Sequence, residues 1–536
     1  MTSRRAGLLI PLFSCPSSLS WGIGDFRDVA VMSAWLASAG QRVLQLLPLN
    51  EMEPGQHSPY SAITAMALDP IYIHVPAVPD FRAIGAEGSL DTDDRQRLAA
   101  VRAAANVEYA AVRDLKSRAL DAAFGHFLEA EWRQASPRAR ELRKYCQAQA
   151  WWLDDYALYR AIRRREEWRP WSDWPAPLRD REPAALTEAR NELATEMLHV
   201  QYLQWVADGQ WRASKQAANA AGVAIFGDLP FMVDGDSADV WANQHLFRLD
   251  MSLGVPPDAF SATGQDWGMP VYRWDVIAAE DFGWLRARAR RCAALFDGYR
   301  LDHLVGFYRT YGRPRDGGPP VFSPADEPDQ IALGERVLEV FLASGAELIA
   351  EDLGLVPDFV RESMTRLGVP GFRVARWERE WDVEGEPFKD PAAFPARSVV
   401  TSGTHDTDTL AEWWAEASVA ERDQMARVPT VAALCGAIDL IEAAYMPDVR
   451  DILIASLFAA GSDLLLMPIQ DVFGWSDRIN VPATVNDRNW TYRLPWPVDA
   501  FDEVADVRER RDRLRAWAVA SGRLMLEGVA SLPRVR

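Results

Sequence analysis

Residues 298–303 read GYRLDH, a short apolar run that ends in charged and polar side chains. Seven other runs of this kind are rich in Val, Ile and Leu and end at polar, Gly or Pro residues. In chain order they are AGLLIPL (6–12), RVLQLLPLN (42–50), VAIFGDLP (223–230), ELIAEDLG (347–354), FRVARWE (372–378), VVTSGTHD (399–406) and DLLLMPIQD (463–471). Such runs are typical of parallel strands that are buried on both faces. The sequence therefore predicts eight strands.

Helical patterns lie between several of these runs. The clearest is FRDVAVMSAWLASAG, residues 26–40, whose apolar residues recur at helical spacing and whose last residue is the glycine favoured at helix ends. Eight strands that alternate with helices predict an α/β fold, a (β/α)₈ TIM barrel with large, mostly helical insertions. Strand count alone leaves a doubly wound open sheet as an alternative.

The predicted insertions follow from the uneven spacing of the runs. Residues 51–222 separate the second run from the third, far more than one strand-to-helix connection needs. Most of this segment is rich in Ala, Arg and Glu with a 3.6-residue period, which predicts helices. We therefore divide the chain into first barrel strands and helix (1–75), a helical insertion subdomain (76–220) and the remainder of the barrel (221–536), which has a second helical insertion at 413–461.

Composition limits the class of partner. Half of the chain, 49%, is hydrophobic and 25% is charged, as in ordinary globular proteins. The net charge of −19 disfavours nucleic acid and anionic membranes, which both attract clustered Lys and Arg, so a neutral substrate fits better. The sequence contains no uninterrupted apolar stretch of about 18 residues, so it predicts no transmembrane helix. We expect a cytoplasmic enzyme that is a monomer or a homodimer.

The ends of the predicted strands are unusually acidic. In a parallel barrel the active site forms at the carboxyl ends of the strands. The polar residues at these ends are Asp228, Asp302, His303, Glu351, Asp352, His405, Asp406 and Asp471. Acids there also cap the helices that follow, because they accept hydrogen bonds from free N–H groups. For Asp352, Asp408 and Asp471 this structural interpretation stays open beside the functional one.

Asp302 differs from the other acids because Arg300 lies two residues earlier, on the same face of the strand. A neighbouring guanidinium lowers the pKa of a carboxyl and keeps it ionised, as a nucleophile requires. A second carboxyl with a raised pKa then serves as general acid and base. Two carboxyls in unequal environments are typical of enzymes that cleave glycosidic bonds.

Three of these strand ends carry a family resemblance. RLDH, IAEDLG and GTHDTDT, on the fourth, fifth and seventh strands, resemble conserved regions of the α-amylase clan and, within it, of the amylomaltases, which are 4-α-glucanotransferases. Further similar segments are GLLIPLFS, WGIGDF, AGQRVLQLLPLN, SPYSA, FGDLPFMVDGDSADVWANQHLF, GVPPDAFSATGQDWG, YRWD and RINVPATV. The resemblance covers most of the chain except residues 80–200.

The resemblance implies a catalytic role for three carboxyls. Asp302 would be the nucleophile, Glu351 the acid and base, and Asp406 the acid that holds the hydroxyls of the donor sugar, with Arg300 and His405 flanking them. The reaction would retain the α-configuration through a covalent glucosyl-enzyme, with an α-1,4-glucan or maltooligosaccharide as donor and acceptor. No metal, nucleotide or other cofactor is implied. An α-glucan hydrolase, an α-glucosyltransferase with another acceptor, and a non-catalytic glucan-binding protein are the alternatives.

The same resemblance implies further substrate-binding residues. Tyr60 of SPYSA would stack on the sugar at the cleavage point, and Asn480 of RINVP would hydrogen-bond to it. Asp228 and His303 would complete the donor site, although a purely structural role for either is equally compatible with the sequence.

Residues 254–275, GVPPDAFSATGQDWGMPVYRWD, resemble the family's loop over the acceptor site. Phe260 and Trp267 would be aromatic platforms for acceptor glucose; an ordinary proline-pinned loop is the alternative. Ala259, Met269 and the sixth-strand segment RVARWEREW depart from the family pattern. These departures predict an altered acceptor preference and leave the three carboxyls untouched.

Overall fold

Eight parallel strands form a closed barrel in the computed structural model, which describes residues 4–257, 264–482, 484 and 486–525. The strands are β1 (Arg5–Leu9), β2 (Val43–Gln45), β3 (Ala224–Leu229), β4 (Gly298–Leu301), β5 (Glu347–Ala350), β6 (Gly371–Val374), β7 (Ser398–Thr401) and β8 (Leu464–Pro468). Each strand pairs with the next along the chain, and β8 pairs with β1. The predicted TIM barrel is confirmed, and the open sheet is excluded by the β1–β8 pairing.

The barrel interior explains why these runs are apolar. Side chains from six strands form one buried cluster: Val43, Phe226, Ile349, Phe372, Val399, Leu464 and Leu466. Side chains that point inward from alternate strands fill a TIM barrel in layers, so its centre is a packed core. The outward-facing residues of the same strands belong to a larger buried cluster that they share with the surrounding helices.

The first helix, α1 (Phe26–Ser38), matches its predicted segment. It begins at Asp25, whose carboxylate accepts from the first turn while Asp28 accepts from the Asp25 amide, a reciprocal capping box. Its apolar face is buried, and Gly40 follows its end with a φ of +75°. A positive φ is strained for residues with a Cβ atom, which explains the glycine at this position.

The remaining helices lie in the connections between strands or follow β8. Between β2 and β3 they are Pro79–Ala83, Thr92–Ala103, Tyr109–Phe127, Pro137–Arg165, Ala176–Arg179, Pro183–Glu192 and Ala194–Ala220. Between β7 and β8 they are Leu410–Glu416, Val419–Arg427, Pro429–Cys435 and Pro447–Ala459. The others are Ala238–Ala242, Trp274–Ala279, Gly283–Leu295, Val305–Tyr308, Glu327–Leu342, Asp358–Leu367, Ile469–Phe473 and Ala505–Ala520. Among the described helices, none is long and apolar enough to span a bilayer.

Two small antiparallel sheets lie in the connections that follow β3 and β4, and the sequence patterns did not predict them. The larger sheet has four strands, in the order Val321–Ser323, Thr310–Pro314, Met251–Val255 and Gln265–Asp266. The smaller sheet pairs Phe247–Arg248 with Val271–Tyr272. Together they fix both described ends of the 254–275 loop to the carboxyl end of the barrel.

Candidate active site

Arg300 is the centre of the charged cluster at the carboxyl end of the barrel. Its side chain is buried on β4, between β3 and β5. Its Nη1 donates to Asp228 Oδ2 at 2.6 Å. Its Nη2 lies 2.7 Å from Asp302 Oδ1 and 2.8 Å from Glu351 Oε2. One guanidinium therefore holds carboxylates from three neighbouring strand ends, and the pairing of Asp302 with Arg300 agrees with the strand alternation read from the sequence.

The separation of Asp302 and Glu351 follows from this shared contact. Their nearest oxygens lie 2.7 and 2.8 Å from the same nitrogen, so their separation cannot exceed the two distances taken together. Retaining glycosidases hold their two carboxyls roughly 5 to 5.5 Å apart, whereas inverting enzymes need a wider gap for water. The pair is therefore close enough for retention. The two side chains are 22% and 24% exposed, so both face the open cavity.

The protonation of this pair differs from the expectation. The two carboxyls hydrogen-bond to one another and share a proton. Burial raises the pKa of Asp302 well above its usual value. Arg300 acts to lower this pKa, whereas the negative charge of Glu351 raises it further. Burial acts upward on Glu351 too, but Arg300 and the His303 amide outweigh it and lower the pKa of Glu351. The predicted order, with a lowered pKa for Asp302 and a raised one for Glu351, is wrong for the unliganded site.

The reason lies in contacts that the sequence does not reveal. Arg300 is shared among three carboxylates and does not belong to Asp302 alone. Glu351 also accepts the backbone N–H of His303 at 2.8 Å. His303 has a φ of +44°, a strained conformation for a residue with a Cβ atom. The backbone in this conformation directs the His303 N–H toward Glu351. Burial lowers the pKa of the His303 ring, so the ring stays neutral.

Asp406, after β7, has the opposite character. His405 Nε2 lies 3.1 Å from Asp406 Oδ2, and Asn480 Nδ2 donates to Asp406 Oδ1 at 2.6 Å. Burial acts to raise the pKa of Asp406, but His405 and Asn480 outweigh it and lower the pKa to about 2. The side chain is 42% exposed. Asp406 is therefore a fixed negative charge that faces the cavity.

Aromatic rings join the Arg300 cluster to Asp406. Tyr60 donates its hydroxyl to Asp228 at 2.8 Å, and its ring stacks on His405 with centroids 5.3 Å apart. Burial and the charge of Asp228 raise the pKa of Tyr60 well above its usual value, so the hydroxyl stays protonated. Trp490 packs against both rings, with centroids 5.7 Å from each. The structure thus brings together the three carboxyls and Tyr60, Asp228, Arg300, His303, His405 and Asn480.

This arrangement agrees with what the chain is similar to. A model of the 4-alpha-glucanotransferase family matches residues 10–499. The chain belongs to the 4-alpha-glucanotransferase family. The 4-alpha-glucanotransferase of Thermus thermophilus is 34% identical and the alignment covers 97% of this chain and 99% of the relative. That of Synechocystis is 35% identical over 92% of this chain and 94% of the relative.

A solved structure supports the same assignment. The amylomaltase from Streptococcus agalactiae in complex with acarbose superimposes with a TM-score of 0.81 at 26% identity, and covers 97% of this chain and 100% of that one. The chain is therefore a 4-alpha-glucanotransferase, an enzyme that transfers hexosyl groups, and the resemblance read from its motifs is confirmed.

In this transferase the acceptor-side loop is described only in part. Trp267 packs edge-on against His303, with ring centroids 4.9 Å apart, and its indole N–H donates to Gln265. Trp267 therefore adjoins Asp302 and Glu351 through His303, and Met269 packs against the core. Phe260 and Ala259 lie outside the described residues.

The other strand-end acids of the transferase are structural. Asp352 is buried and accepts from the Phe372 amide of β6. It does not cap the following helix, which begins at Asp358. Asp408 pairs with Arg376, and Thr409 caps that helix. Asp471 accepts the Leu410 amide at 2.7 Å, so it caps a helix from another strand. The expectation that each acid caps its own following helix is therefore wrong for Asp352, Asp408 and Asp471.

Two residues at the site of the transferase were missed by sequence reasoning. Trp490 forms the aromatic contacts with Tyr60 and His405, but one tryptophan among 22 has no distinguishing pattern. Arg478 donates to the Asp406 carbonyl at 3.0 Å. Its place in the RINVP segment, two residues before Asn480, was the available signal.

Proposed function

We propose that Asp302 is the nucleophile of this 4-alpha-glucanotransferase, Glu351 its acid and base, and Asp406 the acid that holds the donor sugar. The observation that carries this assignment is the contact of Asp302 and Glu351 with the same Arg300 nitrogen, at 2.7 and 2.8 Å. That shared contact keeps the two carboxyls closer together than the gap that an inverting pair needs, which supports a retaining pair. Both are partly open to the cavity where the glucan would bind.

The reaction has two steps. Glu351 protonates the glucosidic oxygen while an Asp302 oxygen attacks the anomeric carbon, which releases the shortened glucan and leaves a covalent glucosyl-enzyme. The 4-hydroxyl of an acceptor glucan then gives its proton to Glu351 and attacks the same carbon, which frees Asp302 and restores the α-linkage. No co-substrate is consumed, because one glucosidic bond is broken and one is formed.

The proton shared by the two carboxyls is the one that the first step needs. In the unliganded site the raised pKa of Asp302 and the lowered pKa of Glu351 favour the proton on Asp302, which hydrogen-bonds to Glu351. A glucosidic oxygen placed between the carboxyls would break their mutual hydrogen bond and offer Glu351 a new acceptor. Arg300, 2.7 Å from Asp302, would then favour the ionised form of that carboxyl, because its proton would have passed to Glu351. Substrate binding thus produces the protonation order that catalysis requires.

The neighbouring residues supply positioning. Asp406, charged and 42% exposed, would accept hydroxyl hydrogen bonds from the donor sugar, and Asn480 and His405 would keep it oriented. Tyr60 would offer its ring to the same sugar. On the acceptor side, Trp267 and Phe260 would provide aromatic surface for a second glucan, and cover from that loop would favour a sugar over water as acceptor.

Incubation with maltotriose tests this function. We expect glucose together with maltooligosaccharides longer than the substrate, which chromatography of the products resolves. Glucose and maltose without longer products would favour the hydrolase alternative. A protein that binds maltotriose and forms no product would favour the non-catalytic alternative.

A further inference from the structure

The loop that follows β6 carries two exposed tryptophans. It extends over residues 375–390, at the carboxyl end of the barrel, and we call it the β6 hairpin. Trp377 is 43% exposed and Trp381 is 64% exposed. Large aromatic side chains that remain in solvent on a well-packed protein commonly mark binding sites.

The β6 hairpin is an ordered element. Arg379 and Phe388 form an antiparallel bridge at its base, and the Arg379 guanidinium lies 3.8 Å from the Phe388 ring. Arg379 also pairs with Glu421, and Gln424 donates to the Gly385 carbonyl at 2.8 Å, so the helix Val419–Arg427 anchors the tip. Because both ends of the hairpin are held, Trp381 is presented from a rigid support.

Other exposed tryptophans differ from this pair. Trp151 lies under the Arg290 guanidinium, 3.8 Å from its ring, and Trp168 lies under Arg160 at 4.7 Å. Within the described part of the chain, neither Trp377 nor Trp381 has an aromatic or cationic partner over its ring. Their faces are thus available for a ligand.

The β6 hairpin is continuous with the catalytic face. Arg376, the residue before Trp377, donates to the Asp408 carbonyl at 2.6 Å. Asp408 lies two residues after Asp406. A glucan chain that leaves the site along the rim at β6 and β7 would therefore pass the two indole rings.

The charge of the β6 hairpin indicates the class of ligand. Residues 376–390 include six acids against three basic residues. This excess of carboxylates repels nucleic acids, anionic peptides and anionic membrane surfaces. Flat apolar rings beside hydrogen-bond acceptors suit a neutral polyhydroxyl chain, whose C–H faces stack on indole while its hydroxyls donate to carboxylates.

We propose that Trp377 and Trp381 form a second glucan-binding platform, which holds a long α-glucan at a distance from the bond that is cleaved. This inference rests on the proposed glucan substrate. It assigns a role to the sixth-strand segment RVARWEREW. The platform would favour long chains over short ones, because a long chain can contact the platform and the site of cleavage at the same time.

The test compares Trp381→Ala and the Trp377→Ala/Trp381→Ala double variant with Trp151→Ala, an exposed tryptophan on the helical insertion. We expect kcat/KM for a long maltodextrin to fall about tenfold in the Trp381 variants, in line with loss of one aromatic contact. Values for maltotriose should stay within about twofold of the parent. Trp381→Phe should retain most of the long-chain activity, because it keeps an aromatic face.

Affinity electrophoresis in gels that contain glycogen gives a readout without turnover. We expect glycogen to retard the parent and Trp151→Ala, and to retard the double variant much less. Equal losses on maltotriose and maltodextrin, or unchanged retardation of the double variant, would overturn the platform. A parent protein that produces no transfer products would instead refute the proposed function, whatever the gels show.

Discussion

Glu351 and Asp352 are consecutive residues at the end of β5, yet they lie in different environments. Glu351 faces the cavity, and its partners are Arg300, the His303 amide and another carboxyl. Asp352 points the other way and is buried. It accepts the Phe372 amide at 2.7 Å and pairs with Arg373 at 3.0 Å. One of these acids meets the substrate space, and the other joins β5 to β6.

The same contrast separates Asp406 from Asp471. Asp406 is open to the cavity, whereas Asp471 is buried between the Ser402 hydroxyl and the Leu410 amide. Asp352 is closely packed, since a Cβ atom on Gly371 would lie 2.6 Å from its carboxylate. Exposure therefore distinguishes Glu351 and Asp406 from the buried acids Asp352 and Asp471, which are equally prominent in the sequence.

The largest effect should come from removing the nucleophile. Asp302→Asn keeps the shape of the side chain and its contact with Glu351 but cannot attack the anomeric carbon. We expect kcat to fall on the order of 10⁴-fold, with maltooligosaccharide binding largely intact. Single-turnover product analysis and calorimetric binding measure the two properties. A variant with near-parent turnover would show that another group is the nucleophile.

Asp352→Asn is the matched change on the structural side. It replaces an oxygen that faces Arg373 by an amide donor, so we expect unfolding free energy to fall by about 2 kcal/mol. Turnover at low temperature should stay within a few-fold of the parent. Urea unfolding and a maltotriose assay on the same preparation separate the effects. A large loss of turnover in a stable Asp352 variant would break the contrast between the two acids.

The fold was readable from the sequence because strands buried on both faces leave continuous apolar runs, and all eight runs became barrel strands. Helix α1 was readable through its apolar spacing and Gly40. The small sheets around Thr310–Pro314 were missed, because their strands are two to five residues long and leave no continuous apolar run. Pairing in the larger sheet joins the connection after β3 to the connection after β4, and these segments are far apart in the sequence.

The sequence predicted which residues form the site better than it predicted their protonation. Strand ends converge in a parallel barrel, so the positions of Asp302, Glu351 and Asp406 followed from topology and motif. The protonation order did not, because it depends on Arg300 being shared across three strands and on the amide of His303. Neither contact leaves a mark in the local sequence.

The pH profile tests whether the catalytic carboxyls behave as a pair with one proton. The reaction needs exactly one shared proton on Asp302 and Glu351. On the acid side, a second proton binds to the pair as pH falls through the lowered pKa of Glu351. Activity should therefore fall about tenfold per pH unit only below the ordinary glutamate range. Asp302 has a pKa raised well above its usual value, so the shared proton and the activity are lost only as pH rises through that higher pKa. Asp406, with a pKa of about 2, stays charged between the limbs.

The measurement is kcat/KM for maltotriose from acid to alkaline pH, and a bell-shaped profile is expected. Asp352→Asn should leave both limbs in place, because Asp352 does not belong to the pair. An alkaline limb within the ordinary glutamate range would show that the two carboxyls titrate independently.

The smallest effects should come from removing single hydrogen bonds to Asp406 and Asp471. Asn480→Ala removes the donor 2.6 Å from Asp406, so the pKa of Asp406 should rise and kcat/KM should fall about tenfold, with little change in stability. Ser402→Ala removes the donor 2.5 Å from Asp471, so unfolding free energy should fall by about 1 kcal/mol with kcat/KM unchanged. Each variant removes one hydrogen-bond donor to one strand-end aspartate. Only the loss of the donor to Asp406 should reduce turnover. The reverse pattern would mean that Asp471, not Asp406, holds the donor sugar.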